Sequence, residues 1–276
     1  MKRTTLCFSL FVLLLALSLA SCDSMFTTNI FAGITHPAQT TASIKAMSTT
    51  DLANYVASNA NLQTLANDSS LKAAALDNLA ATYASTSIAS TADKQLAAET
   101  SATISIKTVP SATQFSGSLL GAITGAATNN TDLSTESNVL AVIKTALGTD
   151  ALGGLSTTSA PSASFTAIIS AFSAANVAYT ALGNSVESNG YSNTSMTSSS
   201  KNEIAVDAVI SALVSSVVAT TPGTSSAQAL WSALADPDHA SSYLTMASLD
   251  TVKAQGSAVG ALVGATSIGS LLGGTK

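Results

Sequence analysis

Leu71, Ala75, Leu79 and Tyr83 stand four residues apart, with Leu76 and Ala80 beside them. Residues four apart share one face of an α-helix, so this spacing lays an apolar stripe along roughly four helical turns. The same period returns along most of the chain. Leu52, Tyr55 and Val56 begin one face that Leu62 and Leu65 continue. Leu96, Ala97, Thr100 and Ile104 form another stripe, as do Phe115, Leu119 and Ile123, and then Val139, Leu140, Ile143 and Leu147. Phe165, Ile168, Ile169, Phe172, Tyr179 and Leu182 mark the longest helix, and Ile204, Val206, Val209, Ile210, Leu213, Val217 and Val218 mark one that is apolar nearly all round. A helix of that last kind belongs at the centre of a bundle. The expected fold is therefore all-α, a multi-helix bundle or an array of antiparallel helical hairpins.

Punctuation residues place the expected ends. Ser48 starts the first helix, and Asn67-Asp68 stops the run that follows. Ser90 with Asp93 and Ser200 with Glu203 look like capping boxes, and Pro110 closes the helix containing Ile104. Gly148 is read as a C-terminal cap, Gly153-Gly154 to Ser159 as a linker, and Pro161 as a first-turn proline. Gly183 follows the longest helix. Asn184 to Ser200 reads as an exposed polar loop. A short helix around Leu230, Trp231 and Leu234 is expected to end at Pro237, with another from His239 to Val252.

The first residues have a different logic. Lys2 and Arg3 precede an apolar run from Leu6 to Leu19, broken only by Ser9 and Ser18, and then come Ala20-Ser21-Cys22. A basic segment, a short apolar run and small residues before a cut are the three parts of a secretory signal peptide. The run is short for a hydrocarbon core that takes about 20 residues. Leu19-Ala20-Ser21-Cys22 resembles the lipobox of bacterial lipoproteins, which implies cleavage before Cys22 and a diacylglyceryl group, with palmitate-type chains, on its thiol. Asp23 stands where an aspartate acts as an inner-membrane sorting signal in lipoproteins of some Gram-negative bacteria. Each buried methylene contributes about 0.8 kcal/mol to membrane binding, and more than one chain is needed for a stable anchor. Cys7 leaves with the signal, so only Cys22 of the two cysteines stays, and no internal disulfide forms. The expected organisation is a signal peptide over 1–21, a lipidated tether over 22–47 in which Phe26, Ile30 and Phe31 dock on the body, a helical domain over 48–255, and a Gly/Ala-rich tail over 256–276.

The pair of helices around Leu79 and Leu96 is similar to a tetratricopeptide repeat. Leu76, Leu79, Ala80 and Tyr83 match its large, large, small, aromatic pattern, and Ala92 and Leu96 match the small and large positions of its second helix. Glu99 and Ile104 depart from the pattern, and no second copy follows at a 34-residue period. The stretch from Phe26 to Ala32 also resembles spirochaetal lipoproteins. These likenesses imply a helical envelope protein of a kind that accompanies other proteins, transporter subunits among them.

Charged residues make up 9% of the chain against 46% hydrophobic, and the net charge is −5. Ordinary domains carry about 25% charged residues, so hydroxyls and amides must face water here. Phosphate binding needs clustered Lys and Arg, and the ten basic residues are scattered; no nucleic-acid partner is expected. The two histidines are His36, before Pro37, and His239, after Asp236-Pro237-Asp238. That acidic turn has too few ligands for a calcium or zinc site. No G-x-S-x-G elbow, Walker loop or dinucleotide glycine pattern occurs. No catalytic residue, metal site or cofactor is therefore expected, and the protein is not read as an enzyme. An envelope hydrolase would require His239 in a cleft beside a serine or carboxylate. Gly256, Gly260 and Gly264, four apart, suit a close-packing helix face, on the bundle or in a second membrane contact. The expectation is a lipid-anchored scaffold or binding protein with its body on the periplasmic or extracellular side; the alternative is a structural surface lipoprotein with no ligand.

Overall fold

The computed structural model describes residues 39–86, 89–129, 131, 135–192, 197–254 and 256–266. Cys22, Asp23, His36 and the Phe26 to Ala32 stretch lie outside them. The described chain is all-α apart from one two-residue strand pair. One compact unit begins at Thr40.

Its helices are α1 (Thr41–Ala46), α2 (Thr49–Val56), α3 (Asn59–Asn67), α4 (Ser69–Tyr83), α5 (Thr91–Lys107), α6 (Pro110–Thr128), α7 (Glu136–Ala151), α8 (Ala163–Asn189) and α9 (Ser198–Ser215). After β1 (Val218–Ala219) come α10 (Ser226–Ala235), a 3-10 turn (Pro237–Ser242), β2 (Leu244–Thr245), α11 (Leu249–Val252) and α12 (Ala258–Gly264). β1 and β2 pair antiparallel, Val218 opposite Thr245. The smaller of two apolar clusters gathers Ile44, Leu52, Leu65, Leu79 and Ile104 around α1 to α5. The larger is built on α8, against which α5, α6, α9 and α12 pack. Small buried residues on α5 (Ala98, Ser101, Ala102) and α8 (Ala171, Ala175, Ala178) suit close backbone approach between helices. Phe172 meets Phe115 edge-on at 5.4 Å, and Phe165 meets Trp231 at 5.1 Å.

α8 is, among the described residues, the helix long and apolar enough to cross a membrane. Its place at the centre of the body accounts for that hydropathy, because Phe165, Ile168, Phe172, Tyr179 and Leu182 are all buried there.

Several boundaries differ from the sequence expectation, each for a local reason. α1 is a helix inside the stretch read as a tether; Ile44 is buried, and the Asn78 amide donates to the Ile44 and Met47 carbonyls at 3.0 and 2.9 Å. Pro110 opens α6 rather than closing α5, which stops at Lys107. Gly148, at φ +68°, is non-helical and ends the first part of α7 as expected, and a further helical turn then runs on to Ala151. Pro161 sits before the cap, since the Ser162 hydroxyl accepts from the Phe165 amide. Gly183 lies inside α8, where a β-carbon would collide with the backbone of Ala258 on α12. The helix runs on to Asn189, through the first six residues of the expected polar loop. Gln95 fastens that end: its amide donates to the Gly190 carbonyl at 2.8 Å, and its carbonyl accepts from the Ser192 amide at 2.8 Å. Ser159 is held likewise by Trp231 and Gln228.

Beyond α9, Val217 and Val218 are not helical. Ser216 caps the helix and its hydroxyl accepts from the Ala247 amide at 2.9 Å, which turns Val218 into β1. The expected helix from His239 to Val252 is three pieces, a 3-10 turn, β2 and α11. In the tail, α12 buries Val259, Leu262 and Val263.

Candidate functional site

Four helices leave a gap between them. α5 supplies Glu99, Thr103, Ile106 and Lys107, α6 supplies Thr113, Ser116, Gly117 and Leu120, α8 supplies Tyr179, and α9 supplies Ser200, Glu203, Ile204, Val206 and Asp207. The cleft holds about 620 Å³, within the ~300–1,000 Å³ typical of small-molecule sites. A smaller hollow shares Asn59, Glu99, Thr103 and Lys107 with it and extends toward α2 and α3.

Asp207 lies deepest in charge terms, at 5% exposure. The Ser116 hydroxyl donates to its Oδ1 at 2.6 Å, and the Tyr179 hydroxyl reaches Oδ2 at 3.5 Å. Burial, more than any neighbour, raises its carboxyl to about 7; the Ser116 bond opposes that rise and the Glu203 charge adds to it. Glu99 is also raised by burial, with Lys107 partly offsetting the effect. Tyr179 is pushed well up, first by burial and then by the charges of Asp207, Glu203 and Glu99. Lys107 and Glu203 pair across the rim at 3.5 Å, both well exposed. Among the described residues no cation stands within ion-pair distance of Asp207 or Glu99.

Glu203 was expected in a capping box with Ser200. The cap is instead Thr197, whose hydroxyl accepts from the Ser200 amide, and this frees Glu203 to reach Lys107. Asp207 escaped the pattern reading because a helix that is apolar all round absorbs one odd residue without losing its stripe. Its signal was composition: Asp207 is the only charged residue between Glu203 and Asp236, and a charge in such a run is buried at a cost or used.

His239 is exposed, its Nδ1 3.0 Å from Asp236 Oδ1, and the Tyr243 hydroxyl donates to Asp236 at 3.2 Å. The hydrogen bond to Asp236 raises the imidazole and lowers the carboxyl. It lines neither of the two hollows described above. No group of three or more metal-ligating side chains occurs among the described residues. Of the stripe expected on α5, Ala97, Thr100 and Ile104 are buried and Leu96 is only half-buried; Gln95, Ala98, Ser101 and Ala102 are buried on the same helix, and Ala92 is exposed. No family model, no curated protein and no solved structure matches this chain, so the functional reading stands on its own residues.

Proposed function

We propose that the protein is a lipid-anchored binding protein of the bacterial cell envelope, processed before Cys22 and holding a small ligand in the cleft between α5, α6, α8 and α9. One observation carries the binding half: a four-helix cleft of about 620 Å³ walled by Ile106, Leu120, Ile204 and Val206, with the buried carboxyl of Asp207 in it. The anchoring half is supported by Lys2, Arg3, the short apolar run and Leu19-Ala20-Ser21-Cys22. In this reading the protein performs no chemistry; the body, whose compact part starts at Thr40, presents a ligand or a liganded surface to an envelope partner such as a transporter subunit.

Gly117 gives a clean way to test the cleft. It lies on the cleft wall with nothing within 4 Å of the space a β-carbon would take. Gly117→Leu should therefore fold while obstructing the site. In a thermal-shift screen of small polar metabolites, compounds that raise the parent's Tm by several degrees should leave Gly117→Leu unmoved. Equal shifts in both would place binding elsewhere, and no shift with any compound would favour a structural lipoprotein without a ligand.

A further inference from the structure

We propose that the ligand of this cleft is an aliphatic amine, bound as its ammonium ion against Asp207 with Glu99 as a second anionic contact. The inference rests on the binding reading above and gives it a chemical class. Four ionisable groups line the cleft besides Tyr179: Glu99, Lys107, Glu203 and Asp207. Lys107 is taken up by Glu203 at 3.5 Å. That pair is neutral as a unit, which leaves two carboxyls facing the cleft and no cation in ion-pair contact with either among the described residues.

The hydrogen bonding of Asp207 is lopsided. Oδ1 takes a short bond from Ser116, 2.6 Å, whereas Oδ2 has the Tyr179 hydroxyl at 3.5 Å, the outer limit of such a bond. A 5% exposed carboxyl that water barely reaches and no side-chain cation touches gains most from a donor that is itself charged. An ammonium ion supplies that, and an anion or a neutral alcohol does not. Around the charge, Ile106, Leu120, Ile204 and Val206 offer apolar wall for a methylene stem, while Thr103, Thr113 and Ser200 offer hydroxyls. The groups acting on Asp207 are Glu203 on its own helix, Lys107 on α5, Ser116 on α6 and Tyr179 on α8, and Glu99 of α5 lines the same cleft; of the other elements packed on α9, α12 carries no ionisable residue and α11 carries Asp250, which pairs with Lys253 at 2.9 Å.

Binding also moves a proton. Near neutrality part of the Asp207 population is protonated, and an arriving ammonium ion holds it as carboxylate, so a proton leaves to the buffer. The total charge balances: one cation enters the site and up to one proton departs from Asp207.

Isothermal titration of the full-length anchored protein in detergent tests this with three four-carbon compounds of matched length, 1,4-diaminobutane, 1,4-butanediol and succinate. At pH 7 the diamine should bind and the diol and diacid should not. Its apparent heat should differ between phosphate and HEPES buffers, which differ in ionisation heat and contain no primary amine, reporting proton release. Asp207→Asn keeps an acceptor for Ser116 and should weaken the diamine at least tenfold while abolishing the buffer dependence. Gly117→Leu should block it without touching Asp207. Binding of succinate or the diol, lost in Gly117→Leu, overturns the amine assignment and keeps the cleft reading. Diamine binding unchanged in both variants overturns the site itself, and silence of all three compounds overturns the amine assignment, with retention of another ligand that Gly117→Leu abolishes keeping the cleft.

Discussion

A carboxyl at the position of Asp207 works against folding once it ionises. Its pKa rises from 3.8 to about 7 on burial, which corresponds to about 4 kcal/mol at ~1.4 kcal/mol per pKa unit. Between those two values the folded chain holds a proton that the unfolded chain has released, so stability from this group falls as pH rises from 4 to 7 and stays low above. Asp207→Asn should match the parent near pH 4 and exceed it by a few kcal/mol at pH 8 in urea unfolding. A gap that does not change with pH would mean that Asp207 titrates normally. Gly117→Leu, on an open helix surface, should raise stability by about 0.5–1 kcal/mol through helix propensity; a loss of stability would show that the wall is tighter than its geometry.

At the scale of elements, contacts between distant parts of the chain decide what local signals leave open. The stripes were legible: Leu71, Ala75 and Leu79 are buried as their spacing required, as are Phe115, Leu119 and Ile123, and Ser48 and Ser90 cap the helices they precede. What was not legible depended on partners far along the chain. Gly183 reads as a helix end in isolation, yet it is the place where α12 comes within backbone contact of α8. Gly183→Ala should push α12 off, exposing Val259, Leu262 and Val263; hydrogen exchange over 258–264 should rise well above the parent's while α4 stays protected. Unchanged exchange there would mean the contact yields. The end of α8 likewise depends on Gln95, nearly a hundred residues upstream. No window of local sequence carries that information. Ser162→Ala should cost about 1 kcal/mol, since the hydroxyl caps α8 and also donates to the Ala151 carbonyl at 2.7 Å.

At the scale of the molecule, the described body from Thr40 onward combines a low charge content and a high apolar content by packing α5, α6, α9 and α12 on one long apolar helix, α8. The cleft departs from this pattern, and its lining comes from four helices over residues 99–207 together with Asn59 of α3, which is why the sequence showed its residues but not their meeting. The proposed anchor belongs to this scale as well. Cys22→Ala should lose palmitate labelling and leave the membrane fraction; a variant processed and anchored like its parent would contradict the lipobox reading.

Native mass spectrometry of the full-length protein, extracted gently from its own membranes, tests the central claim most directly. The account predicts a chain beginning at a lipid-modified Cys22 that carries a non-covalent small molecule, and a Gly117→Leu variant with the same lipid and no such molecule. A parent chain that carries nothing, or a ligand that Gly117→Leu retains, would contradict it.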